Sequence, residues 1–162
     1  MTKPCELTAT EARKLIGQKK LSSLELVKSC LNQIEKINPA INAIVAIDEV
    51  EAIKAAKQAD RKTIKGEKLN LLHGLPIGIK DLCSVKNLRS TSGSLLNKNY
   101  VPIDDDEIVK NIRNEGSIIL CKTNTPEFGA GGNTTNKVYG TTTNPFDLKK
   151  SAAGSSGGSA AA

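Results

Sequence analysis

The stretch Leu75-Pro76-Ile77-Gly78-Ile79-Lys80-Asp81 decides the fold class. Its apolar run is too short for a helix and reads as a buried strand, with Lys80 and Asp81 at its carboxyl end. Further on, Asp104 and Glu107 have the spacing of a helix-opening cap, Ile108, Val109 and Ile112 supply an apolar face, and Gly116 ends the helix. Ile118-Ile119-Leu120-Cys121 then reads as a second buried strand. Strand, helix, strand in this order is a crossover unit, so two parallel strands of one sheet are expected. Open α/β sheets hold ligands beyond the carboxyl ends of their strands. Lys80 and Lys122-Thr123-Asn124 are therefore expected on one rim.

Upstream the pattern is helical. Thr8 with Glu11 and Ser22 with Glu25 have capping-box spacing. In the second helix Leu24, Val27, Leu31 and Ile34 form the face to be buried, and Asn38-Pro39 is expected to stop it. Ile41 to Ile47 reads as extended. Asp48 with Glu51 opens a further helix through Ala52, Ala55, Ala56 and Ala59, and the polar residues from Arg61 to Asn70 read as a surface loop.

A chain of 162 residues can bury one core and is too short for two ordinary domains. Hydrophobic residues make up 38% and aromatic ones 2%, so the core must rest on Ile, Leu, Val and Ala. The net charge of +6 permits acidic partners, yet Lys and Asp/Glu are interspersed and not gathered in a basic arm. With two Phe, two Tyr and no Trp there are few platforms on which bases could stack, which disfavours nucleic acid. Cys5, Cys30, Cys83 and Cys121 show no paired short spacing, and His73 is the single histidine, so neither a zinc site nor a disulfide scaffold is expected. Separated thiols of this kind suit a reduced, cytoplasmic protein. The first residues lack the apolar segment of a signal peptide, and no apolar run reaches membrane-spanning length.

From Thr125 the chain is dominated by Gly, Thr and Asn, and it ends on Ala153-Gly154-Ser155-Ser156-Gly157-Gly158-Ser159-Ala160-Ala161-Ala162. Composition leaves two readings of this segment: a flexible Gly/Ser tail, or ordered loops around a site. Glycines bring main-chain N–H groups close to an anion or a carbonyl oxygen, and a serine held among them can act chemically. A phosphate cradle is the competing use, although the lysine that follows the glycines of a P-loop is missing.

Four blocks separate these readings: Leu72-His73-Gly74-Leu75-Pro76-Ile77-Gly78-Ile79-Lys80-Asp81, Lys122-Thr123-Asn124-Thr125-Pro126-Glu127-Phe128-Gly129, Asn144-Pro145-Phe146-Asp147, and Gly154 to Ala162. Together, in this order, they closely resemble the amidase signature family. The resemblance extends through the amino-terminal helices and covers about the first third of a family member. It implies the amino-terminal part of an α/β fold, a mixed central sheet flanked by helices, with residues 1–162 as an incomplete amidase domain. It also implies cleavage of a carboxylic acid amide C–N bond, a small-molecule amide substrate and no cofactor. Nucleic acid enters only if the chain belongs to a tRNA-dependent amidotransferase, as its amidase-type component, and Thr125-Pro126-Glu127-Phe128 looks more like the general amidases. By this resemblance the catalytic lysine falls on Lys80 and the serine that follows a cis peptide bond falls on Ser155. The nucleophilic serine falls beyond Ala162, while Gly129, Gly131 and Gly132 match a loop that lines the acyl pocket. Ser156 and Ser159 match positions that are usually small or hydroxylic, and neither is assigned as the nucleophile. Ala153 and Cys121 stand where glycine is common.

The residue types suit that chemistry. A serine hydroxyl needs a base, and with one histidine in the chain lysine is the alternative. Lysine serves only when neutral, which burial favours. Asp81 is expected to pair with a cation or cap a turn, His73 to sit in a loop, and Lys122 to be a weaker candidate for a second base.

Overall fold

Side-chain caps start the first three α-helices of the chain, whose computed structural model describes residues 3–162. Thr8 accepts a hydrogen bond from Glu11 N while the Glu11 carboxylate receives Thr8 N, opening α1 (Ala9–Gly17). Ser22 and Glu25 repeat the arrangement for α2 (Ser23–Ile41). Asp48 caps α3 (Glu49–Lys65) by accepting from Glu51 N. Each cap satisfies main-chain donors that a helix start leaves open.

Three boundaries differ from the sequence-based expectation, each because other groups take up the main chain. Pro39 does not stop α2 but lies inside its last turn. Asn42 N still donates to Asn38 O at 2.7 Å, and the Asn38 side chain then accepts from Ala43 N and Ile44 N and donates to Ile44 O. The stretch from Arg61 is not loop until Gly66, because Thr63 Oγ1 bonds Ala59 O inside the helix and Gly66, at φ +71°, closes it in the left-handed conformation. Asp104 is not the cap of α4 (Glu107–Asn114): the next two carboxylates are drawn elsewhere, Asp105 to Lys86 N and Asp106 to Ser84 N, and the helix starts after them. On the expected apolar faces, Val27 and Val109 are buried, whereas Leu24, Leu31, Ile34 and Ile112 are half-buried and Ile108 faces outward.

The strands β1 (Ile44–Ile47), β2 (Pro76–Lys80) and β3 (Ile118–Thr123) form one sheet in the order β1-β3-β2. β1 runs antiparallel to β3, with Ile44 opposite Thr123 and Ile47 opposite Cys121. Leu75 O receives Ile118 N before β2 begins and Asp81 N reaches Thr123 O after it ends, so β2 and β3 run parallel, as the crossover order implies. β3 is buried along its whole length, but β2 is less enclosed than its apolar run suggests: Ile79 is buried and Gly78 is exposed. The last segment is ordered into two antiparallel ribbons, β4 (Thr135–Asn136) with β5 (Gly140–Thr141) and β6 (Thr143–Asn144) with β7 (Asp147–Ser151), followed by the short α5 (Gly157–Ala161).

Two compact units are distinguishable. The first comprises Met1–Ile34, Asp48–Ile77 and Lys110–Leu120; the second comprises Glu35–Ile47, Gly78–Val109 and Cys121–Ala162. The first has an apolar centre of Ala12, Ile16, Leu26 and Leu75, with Leu7, Leu21, Cys30 and Leu72 packed on it. No aromatic ring belongs to this cluster. Among the described residues no helix is long and apolar enough to cross a membrane.

His73 is buried in the first unit, with Nε2 within hydrogen-bond distance of Ala59 O and of Thr63 Oγ1. Burial pushes its pKa below the ordinary histidine value. Above that ordinary value both folded and unfolded chains hold it neutral; below it the unfolded chain gains a proton that the folded one resists, so stability falls on acidification. Thermal unfolding between about pH 7 and 5.5 is expected to show a falling midpoint that flattens in His73→Gln, since His73 is the chain's only histidine. An equal slope in both proteins would contradict this.

Candidate active site

All residues of this site belong to the second unit. Lys80 is the last residue of β2, and its Nζ donates to Ser155 Oγ at 2.8 Å. Ser155 stands in the turn between β7 and α5 and follows a cis peptide bond, Gly154-Ser155. Burial holds the Lys80 pKa below the usual lysine range, and the neighbouring Cys83 opposes that shift.

The Ser155 turn is fixed from three directions. Thr134 donates to Ala153 O through both its N, at 2.9 Å, and its Oγ1, at 2.8 Å. Thr125 Oγ1 donates to Ser155 O at 3.3 Å. After the turn, Gly157 N donates to Thr134 Oγ1 and Gly158 N to Asn124 O. A Cβ on Gly157 would lie 2.3 Å from Thr134 Oγ1, and one on Gly158 would lie 2.2 Å from Asn124 N, so these two positions admit only glycine.

Asn124 is the hub of this packing. Its Nδ2 donates to Thr142 Oγ1, and its Oδ1 accepts from Thr125 N and from Asn136 Nδ2. Thr142 Oγ1 in turn donates to Asn42 O, and Asn136 Oδ1 accepts from Val138 N and Tyr139 N. Asn124, Thr125, Thr134 and Thr142 are fully buried. Hydrogen bonds thus give the loops a fixed shape that composition leaves undecided.

The Gly129 to Gly132 loop runs between the two ends of the site. Gly129, at φ +72°, packs against Leu82, two residues past Lys80, and Gly131 O would meet a Cβ on Gly154 at 2.9 Å. Gly132 has open space around it. Of the two other serines, Ser156 is exposed at the start of α5, and Ser159 Oγ shares a 2.6 Å hydrogen bond with Thr123 Oγ1. Asp81 pairs with Lys122, Nζ to Oδ1 at 3.2 Å, and both side chains have no exposed surface. That pairing removes Lys122 from the candidates for a base within the site.

Sequence reasoning brings Lys80 and Ser155 together. It misses Thr125 and Thr134 as the holders of the Ser155 turn, Asn124 as the hub, and Lys122 as the partner of Asp81. The usable signal is positional: Asp81 and Lys122 lie at the same ends of adjacent parallel strands.

A family model described as Amidase matches residues 25–162. The chain belongs to the amidase signature family. A glutamyl-tRNA(Gln) amidotransferase chain of Clostridium botulinum (strain Alaska E43 / Type E3) is 42% identical over 154 residues, which cover 95% of this chain and 32% of that protein. Among solved structures, a bacterial aryl acylamidase of the amidase signature family has a TM-score of 0.90 at 34% identity and covers 96% of this chain and 32% of its own. The native peptide amidase of Stenotrophomonas maltophilia has a TM-score of 0.89 at 28% identity, covering 96% and 33%. The mixed α/β fold matches the amino-terminal part of these amidase signature enzymes, and the chain spans about a third of their length.

Two glycines, one inside this packing and one with open space around it, give a direct check on it. Gly158→Ala is expected to cost about 3 kcal/mol or to prevent folding, because backbone atoms of Asn124 and Ala43 stand where the methyl would go. Gly132→Ala, with open space around it, is expected to change stability by no more than about 0.5 kcal/mol. Chemical denaturation measures both; equal effects would mean that the contact at Gly158 is not tight.

Proposed function

We propose that Lys80 and Ser155 are catalytic residues of an amidase, base and proton relay respectively. The observation that carries this reading is the 2.8 Å hydrogen bond between Lys80 Nζ and Ser155 Oγ beneath a fixed glycine-rich turn. Neutral Lys80 takes the Ser155 hydroxyl proton as Ser155 Oγ takes that of the nucleophile. The resulting oxyanion attacks the amide carbon, and the tetrahedral intermediate expels the amine, which receives the proton back from the Lys80 ammonium through Ser155. A water molecule then cleaves the acyl-enzyme by the same relay. Gly129, Gly131 and Gly132 line the substrate's acyl side in this reading. Residues 1–162 form an incomplete amidase domain, and the nucleophilic serine comes from sequence beyond Ala162.

The substrate in this reading is a small-molecule amide and the setting is the cytoplasm, which suits the free thiols of Cys5, Cys30 and Cys83. The 42% identity to the amidotransferase chain favours a second reading. There the protein belongs to a tRNA-dependent amidotransferase, and the same lysine and serine serve the release of ammonia from an amide donor. A phosphate-binding module is disfavoured by the turn itself: Gly157 N and Gly158 N, the donors such a module would offer, are taken by Thr134 Oγ1 and Asn124 O.

In a protein extended to family length, Lys80→Ala is expected to lower kcat by about 10²–10⁴-fold with KM little changed, because the base acts in the transition state. The wild-type kcat/KM is expected to rise with pH to a plateau whose midpoint lies below the usual lysine range, since Lys80 works above its lowered pKa. Unchanged kcat in Lys80→Ala would remove Lys80 from the reaction.

A further inference from the structure

A second lysine, Lys122, is fully buried near the end of the strand beside that of Lys80 and takes no part in the relay; burial pushes its pKa down and the Asp81 carboxylate opposes that shift. Lys122 lies in β3 with its ammonium protons directed at three acceptors: Asp81 Oδ1 at 3.2 Å, Ser90 Oγ at 2.8 Å and Cys83 O. Asp81 is the residue directly after Lys80, and it is as fully enclosed as Lys122. Its two oxygens also accept from Thr91 N, each at 3.1 Å, and Oδ2 accepts from Thr91 Oγ1 at 2.7 Å. Ser90 Oγ passes its own proton to Leu88 O, and Thr91 Oγ1 accepts from Gly93 N, so the segment from Cys83 to Gly93 is wrapped around the pair.

Such a pair contributes little net stability compared with apolar side chains of the same size, because two ions must be stripped of water. Its consequence lies in geometry and field. An unpaired carboxylate one residue from Lys80 would favour the ammonium form of that lysine; at an effective dielectric of about 20, a unit charge roughly 8–10 Å away moves a pKa by about one unit. A bound cation at Asp81 cancels that influence. The other charged or titratable groups around the cluster are few: Cys83 beside both lysines, Asp106 on the Lys122 side, and Tyr139, with Arg89 stacked on its ring at 5.1 Å, on the Asp81 side.

We propose that Asp81 and Lys122 are positioning residues: a self-neutralising buried pair that fixes the end of β2 and prevents the Asp81 carboxylate from holding Lys80 as an ammonium ion. The proposal rests on the reading of Lys80 as the base. It explains why the sheet carries a lysine at the end of each of two adjacent strands, one left to react and one spent on a carboxylate.

The test reads the protonation of Lys80 itself and needs no turnover. Competitive labelling of the 1–162 chain with acetic anhydride across the range in which lysines titrate, quantified at Lys80 by mass spectrometry, gives the midpoint of that residue. In Lys122→Met the midpoint is expected to rise by about one unit, with labelling near neutral pH about tenfold slower. In the double variant Asp81→Asn/Lys122→Met it is expected to return to the wild-type position, because both charges are gone. Asp81→Asn, which removes the carboxylate charge and keeps Lys122, is expected to lower the midpoint and decides the matter if Lys122→Met does not fold. An unmoved midpoint in a folded Lys122→Met, a midpoint that stays raised in the double variant, or, where Lys122→Met does not fold, an unmoved or raised midpoint in Asp81→Asn overturns the proposal. A raised midpoint in Lys122→Met together with unimpaired catalysis in Lys80→Ala would uphold the pair and defeat the reading of Lys80 as base, so the two failures are distinct.

Discussion

At Gly158 the main chain of α5 comes so close to Asn124 that a methyl group would lie 2.2 Å from Asn124 N and 2.8 Å from Ala43 O. This contact brings the residue after β3, the residue before β1 and the start of α5 to one point. Once Gly158 N is bonded to Asn124 O and Gly157 N to Thr134 Oγ1, the preceding residues have little choice of path. The turn at Gly154-Ser155 is then held between Thr134 below and Thr125 beside it, and Ser155 Oγ meets Lys80 Nζ. The placement of Lys80 against Ser155 therefore depends on the absence of two side chains as much as on the presence of two.

The two units solve their packing differently. The first is filled by Ala, Ile and Leu, and its one buried histidine is bonded to the helix it packs on. The second buries the polar Asp81, Thr91, Lys122, Asn124, Thr125, Thr134 and Thr142. Such an interior carries less hydrophobic driving force and demands that each polar group find its partner. What it gives in return is rigidity of loops that have no regular secondary structure. The loops can then hold a lysine and a serine at hydrogen-bond distance with the lysine half-buried.

Much of this is legible in the sequence wherever short-range chemistry decides. The caps at Thr8, Ser22 and Asp48, and the parallel pair of strands through Ile77-Ile79 and Ile118-Cys121, follow from spacing and period, although the second strand runs on to Thr123. Lys80 and Ser155 stand out through blocks of residues in order, since no periodicity marks them. The mismatches have physical causes. Pro39 has the look of a helix stop, yet the Asn38 side chain takes over the main chain there. Arg61 to Lys65 resembles a loop because it is polar, although an exposed helix end is polar too. Asp104 has the spacing of a cap, but Asp105 and Asp106 are already committed to the Ser84–Lys86 main chain. The hub at Asn124 joins residues 12 and 18 positions away, and the Asp81–Lys122 pair spans dozens of positions, distances over which pattern and propensity carry no information.

In the proposed relay Lys80 and Ser155 act as one unit. A double-mutant cycle on kcat/KM, in a protein of family length, measures that directly: Lys80→Ala, Ser155→Ala and the two combined. Residues that pass a single proton between them are expected to lose about as much activity singly as together, so the double variant should fall close to the worse single one. Losses that multiply in the double variant would show two independent contributions and contradict a shared relay.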